Sequence, residues 1–158
     1  MKLPESLTPF ITILPDAIDK YAAFGEIVRN CSVFDTIKDK DAFLEAVIKR
    51  EKLQSTGIGH GVAIAHGKVT DLDKTHIALG LSPDGIYFDD IFKEPVKLVF
   101  LIASSPSKQN EYVKALAALL SWIYEGDVRG DLEAKDFSAS ECEAFLKMLI
   151  SQDFYNRT

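Results

Sequence analysis

The run Val96-Lys97-Leu98-Val99-Phe100-Leu101-Ile102-Ala103 constrains the fold more than any other stretch of the chain. It is rich in β-branched residues and almost wholly apolar. It is also far shorter than the roughly 20 apolar residues a membrane span requires. Such a run is a strand buried on both faces, and therefore an inner strand of a sheet with helices above and below it. Ile77-Ala78-Leu79-Gly80-Leu81 predicts a second strand, followed by the turn signal Pro83-Asp84-Gly85, and residues 10–14 are a third short β-like run stopped by Pro15. Helical spacing surrounds these strands. Ile18, Tyr21, Ala22, Gly25 and Val28 fall three and four residues apart within 16–29, and Asp39 can cap a second helix running to about Leu53. Ser105-Pro106 opens a third helix reaching about Tyr124, and Ser138-Ala139-Ser140-Glu141 is a capping box before a last helix to about Ile150. Together they predict a single α/β layered domain over 1–158, with a central mixed β-sheet flanked by helices on both faces.

Length and charge narrow the function. The 158 residues suit one domain, and 47% hydrophobic residues suffice for its core without a metal or disulfide. Eighteen Lys and Arg against 24 Asp and Glu leave a formal charge of −6 with no basic cluster in the sequence, which argues against nucleic acid. An acidic module would more naturally meet a basic protein patch. Cys31 and Cys142 lack metal-ligand spacing and read as free thiols of a reducing compartment. No signal peptide opens the chain and no run is long enough to insert in a membrane, so a cytoplasmic protein is expected.

Residues 50–68 carry the chemistry. At about 100° per residue, Phe43, Ala46, Val47 and Leu53 share one arc of the second helix, and Arg50 falls within it. An inward guanidinium calls for an anion, because an unpaired buried charge is costly. The alternative is a cation that favours the helix C-terminal dipole and snorkels to water. Glu51, at the edge of the arc, is placed to orient Arg50, to accept from the following loop, or to face solvent. His66 closes a short apolar run and stands between Ala65 and Gly67, whose lack of bulk leaves the ring accessible. An imidazole of ordinary pKa, about 6.5, offers a neutral nucleophilic nitrogen near neutrality. A strand-end histidine bonded to a carbonyl is the alternative. Backbone N–H groups of the run Gly57-Ile58-Gly59-His60-Gly61, with Thr56 and Arg50, are candidates to cradle an anion. His60, His66 and His76 fit no common zinc spacing; His60 reads as a loop residue and His76 as a structural polar group, so no metal is expected.

In register, Glu51, Ile58, Gly59, Val62, Ala63, Ile64, His66 and Gly67 form a longer pattern. An acidic residue leads to aliphatic-Gly, then to aliphatic-Ala-aliphatic, then to His-Gly. The segment resembles the phosphorylation-site motif of the fructose/mannitol-type enzyme IIA domains of the bacterial sugar phosphotransferase system, and is most like their nitrogen-regulatory branch. Arg50-Glu51 and Ser55-Thr56-Gly57 match as well. The order of helix, motif, two strands, long helix and last helix extends the resemblance over nearly the whole chain. Two positions depart from the family pattern. Its proline before the histidine is Ala65 here, which can adopt the proline's φ without enforcing it. The second histidine that many members carry at the start of the long helix corresponds to Tyr112. That residue shares a helix face with Leu116, Leu119 and Ile123 and also reads as a packed core tyrosine. A phenol can donate a hydrogen bond but brings no positive charge at neutral pH, which throws charge compensation onto Arg50.

The resemblance implies that His66 is the nucleophile and phosphorylated residue, that Arg50 pairs with the phosphoryl oxygens, and that Thr56 and Tyr112 contact the group. It implies no metal and no organic cofactor. The partners it implies are an HPr-type phosphocarrier, then an enzyme IIB or a regulatory target. Two other readings stand beside phosphotransfer: a regulatory binding module whose affinity phosphorylation switches, and a relative that no longer accepts phosphate. The single-domain length agrees with a free-standing protein.

Overall fold

A computed structural model describes residues 3–16 and 18–154; Ala17, within the first expected helix, and the chain ends of the expected 1–158 domain lie outside the described residues. Five strands form one sheet in the order β1-β4-β5-β3-β2: β1 (Ile11–Ile13), β2 (Gly57–Gly59), β3 (Val62–Lys68), β4 (His76–Ile86) and β5 (Val96–Ser104). β1 runs parallel to β4 and β3 parallel to β5, whereas β4–β5 and β2–β3 are antiparallel, so the sheet is mixed. The expected inner strand lies at its centre, with Leu98 through Ala103 all at 0% exposure.

Alternation along β5 separates two cores. Leu98, Phe100 and Ile102 face a layer built from α3 (Gln109–Glu125), α4 (Val128–Glu133) and α5 (Ser140–Ser151), through Leu119, Leu132 and Phe145. Val99, Leu101 and Ala103 face α1 (Lys20–Asn30) and α2 (Lys40–Leu53), through Ile27, Phe43 and Val47. Helices therefore cover both faces, as the apolar run required. Cys31 and Cys142 are free thiols inside these cores, pushed by burial up to about 12.

Several boundaries differ from expectation. The first helix begins at Lys20, where the Asp19 carboxylate accepts the Ala22 N–H; Asp39 caps α2 in the same way. Ser105 caps only a 3₁₀ turn at Pro106–Lys108, and α3 starts after it. The capping box does not form. The Ser138 hydroxyl donates to Asp136, and the Glu141 carboxylate accepts the Asp127 N–H at 2.8 Å, tying α5 to the start of α4. The turn signal at 83–85 does not end its strand. It makes a bulge, with Gly85 at φ +84° and its N–H bonded to Ser82 Oγ, and β4 resumes pairing at Ile86.

Candidate phosphoryl-acceptor site

The glycine-rich run builds a hairpin. Gly59, His60 and Gly61 have φ of +86°, +59° and +73°, and the reversal between paired Gly59 and Val62 takes only His60 and Gly61. A two-residue turn of this hand needs positive φ at both positions, which explains the glycines without an anion cradle. The short β2 pairs only with Val62 and Ala63, and one further bond runs from the Ile64 N–H to the Thr56 carbonyl at 3.1 Å. Beyond that point β3 is paired only with β5, in register from Ala65 on Leu101 to Lys68 on Ser104. His66 thus projects beside an open sheet edge, half-buried, on the same face as Ile64.

Ala65 and Gly67 serve a different purpose from the one expected. On a strand they face the opposite side from His66, under α2. A Cβ on Gly67 would lie 2.9 Å from Val47 Cγ2 and 3.1 Å from the Phe43 ring. Their small size lets α2 settle on β3, which brings its last turn to the level of His66. Along that helix the buried stripe is Phe43, Val47 and Glu51, while Leu53, expected on the inward arc, is 78% exposed. Arg50 is half-buried. It donates from Nη1 to the Gln54 carbonyl at 2.7 Å, satisfying the helix end, and still lines the hollow beside His66. The dipole role and the site placement coexist.

Glu51, 2% exposed, is the anchor of the motif. Its carboxylate accepts from the Thr56 hydroxyl, from the Thr56 N–H at 3.1 Å and from Lys20 Nζ at 2.9 Å; Lys20 in turn donates to the Phe88 carbonyl at 2.7 Å. One buried acid therefore joins α1, the end of α2, the loop after it and the segment following β4. Thr56 lines the hollow, and its hydroxyl proton goes to Glu51.

Across the hollow stands Tyr112 in the first turn of α3. Its Oη lies 3.4 Å from His66 Nδ1 and the two ring centroids are 5.1 Å apart. The hollow measures about 260 Å³; His66, Arg50 and Tyr112 meet there with Thr56, Ile58 and Leu116. Burial lowers the His66 pKa below its ordinary value, and the nearby charges of Arg50 and Lys68 lower it further. The ring is thus held neutral at pH 7 with a lone pair available. Burial raises the Tyr112 phenol, opposed by Arg50, so it stays protonated. His60 sits apart at the hairpin tip, its ring against Tyr124 at 5.2 Å, and His76 opens β4 with Nδ1 buried and without a hydrogen-bond partner among the described residues. Among the described residues no three His, Cys, Asp or Glu side chains gather where they could hold a metal.

The protein is an α/β domain with an open mixed sheet between helical layers, and a neutral histidine and an arginine share one hollow at the sheet's edge. The chain belongs to the phosphoenolpyruvate-dependent sugar phosphotransferase system EIIA 2 family, whose model matches residues 8–147. It is 32% identical over 133 residues to the PTS system fructose-specific EIIABC component of Bacillus subtilis, covering 84% of this chain but only 21% of that protein. It is 30% identical to the nitrogen regulatory protein of Bradyrhizobium diazoefficiens, covering 83% of this chain and 82% of that one. Among solved structures, the nitrogen regulatory protein IIA-Ntr of Neisseria meningitidis superposes with a TM-score of 0.71 at 25% identity, over 92% of this chain and 94% of that one. The chain is thus a domain of the EIIA 2 type, and it spans only about a fifth of the length of the first of these relatives.

Proposed function

We propose that His66 accepts a phosphoryl group from the phosphohistidine of an HPr-type carrier, and then passes it to an enzyme IIB or reports its state to a regulatory target. The observation that carries this reading is the imidazole itself, kept neutral beside Arg50 with Nδ1 turned to Tyr112. With its proton on Nδ1 and donated to the phenol oxygen, the ring presents the Nε2 lone pair. Nε2 attacks phosphorus in line, the N–P bond of the donor breaks, and the donor nitrogen recovers its electron pair. Two similar nitrogens exchange one group, so the demand is for positioning and charge stabilisation. Arg50 is the cation that meets the phosphoryl oxygens. Tyr112 orients the ring, and Thr56 acts through Glu51 to hold the loop.

Incubation with phosphoenolpyruvate, enzyme I and an HPr-type carrier should add one acid-labile phosphate by intact mass, and His66→Ala should add none. Absence of label in the parent protein would defeat the reading. Regulatory output is favoured over sugar delivery because the nitrogen regulatory relative is matched over 82% of its length, against 21% for the fructose-specific EIIABC component. Loss of the label to a sugar-specific enzyme IIB would reverse that preference.

A further inference from the structure

The connection between β4 and β5, residues 87–95, takes no part in the chemistry proposed for His66, yet it leaves three large apolar side chains in water. Tyr87 is 67% exposed, Ile91 77% and Phe92 41%, whereas elsewhere along the described chain such side chains occur one at a time. This exposure is held by bonds. Asp89 Oδ1 accepts the N–H groups of Ile91 at 2.9 Å and of Phe92 at 3.1 Å, an Asx-type turn. The Ser55 hydroxyl bonds the same carboxylate and, ahead of those amides, holds its pKa below the ordinary value. The Tyr87 hydroxyl donates to Asp90, and the Phe92 ring lies over Gly59, where a Cβ would come within 3.1 Å of it.

The surroundings are acidic. Asp90 and Glu94 are exposed in the connection itself, with Lys93 between them in the sequence. Gly85 of the β4 bulge leaves room for only a hydrogen beside Pro95, so the bulge backs onto the connection. There Asp84 hydrogen-bonds Asp16 and raises its pKa, two carboxyl groups crowded together. None of these four acids forms an ion pair among the described residues.

We propose that residues 87–95 form a docking surface for a partner protein that presents an apolar face flanked by Lys and Arg. Unpaired carboxylates around exposed apolar groups attract and orient such a face, and repel the phosphates of nucleic acid and of anionic lipid. A loop already fixed by its own bonds loses little freedom on binding. The connection also bears on the acceptor hollow: Ser55, which bonds Asp89, and Gly57, which abuts Phe88 and Asp89, both line it. The surface supplies the chemistry of the regulatory target named above, and so rests on that reading.

The test titrates the ¹⁵N-labelled protein with two synthetic helical peptides that share a leucine face and carry either Lys and Arg or Glu on the other side. The basic peptide should shift the amides at 87–95 more than any others. Its affinity should fall about tenfold in Ile91→Ser, about tenfold in Asp90→Asn/Glu94→Gln, and about tenfold between 50 and 300 mM salt. Equal binding of the acidic peptide, or shifts that spare 87–95, would overturn the proposal. So would self-association of the parent abolished by Ile91→Ser, which would assign the patch to a second copy of this chain. Carrier-dependent labelling of His66, read by intact mass, keeps the two readings apart. It should be equal in Ile91→Ser and parent; a slower variant would give the surface to the carrier and overturn the proposal. A parent that takes no label would defeat the acceptor reading, with the peptide titration still judging the surface.

Discussion

His66 owes its readiness to surroundings that disfavour a charged ring: burial first, then Arg50, then Lys68. Removing a positive neighbour favours protonation, so Arg50→Gln should raise the titration midpoint of His66, read from its ring protons by NMR, toward about 6.5. The same substitution removes the cation assigned to the phosphoryl oxygens and should slow carrier-dependent labelling by about 10²-fold. Tyr112→Phe deletes one neutral hydrogen-bonding group near Nδ1 and leaves the ring packing. A loss of about fivefold in labelling rate is expected, in line with the roughly 1 kcal/mol of such a bond. A Tyr112→Phe rate equal to that of the parent would remove the orienting role from the phenol.

At the scale of elements, the site depends on how α2 meets β3 and on what fixes the loop between α2 and β2. Glu51→Ala would leave Lys20, only 16% exposed, without its carboxylate and strip the Thr56 hydroxyl and N–H of their acceptor. Breaking a buried pair by removing one partner costs about 3–5 kcal/mol, and urea unfolding should show a loss of that size. Gly67→Ala inserts a methyl group where Val47 Cγ2 would be 2.9 Å away. Overpacking of about 1–3 kcal/mol is expected, together with a displaced α2 and slower labelling of His66, because Arg50 travels with that helix. The hairpin strains no side chain but that of His60, whose φ of +59° glycine would adopt freely.

For the whole molecule, the two histidines with lowered pKa give stability a pH dependence of known sign. His66 and His76 bind protons less readily folded than unfolded. Between the depressed folded values and about 6.5 the unfolded chain therefore holds more protons, and stability rises with pH through that window. The urea midpoint should be lower at pH 5.5 than at pH 7.5, and His76→Gln should flatten the difference. A midpoint that rises on acidification would contradict the burial seen for both rings.

The layered fold was legible because strands and helices announced themselves by period. The run at 96–103 could only be an inner strand, and 77–81 supplied a second strand, whereas which strands flank the inner one came only with the structure. His66 and Arg50 were legible through their spacing in a family motif. Elements held by long-range bonds were less so. The six-residue α4 carries too little periodic signal to be seen, and Glu141 was read as a local cap when its partner is Asp127, 14 residues away. Leu53, placed inward by the helical wheel, faces out. Glu51, placed at the edge of the arc with acceptance from the loop among its readings, is turned fully in, because an ideal wheel does not know that a lysine from α1 waits to pair with it.

Local chemistry along the chain was therefore enough to name the inner strand, the longer helices and the histidine proposed as acceptor. Which charges end up as neighbours was settled only by folding. Lys49 and Lys68 are 19 positions apart yet border one hollow, and Tyr112 reaches His66 across 46 residues. Side-chain identity is written residue by residue, whereas an electrostatic environment is a sum over whatever tertiary packing brings within a few ångströms.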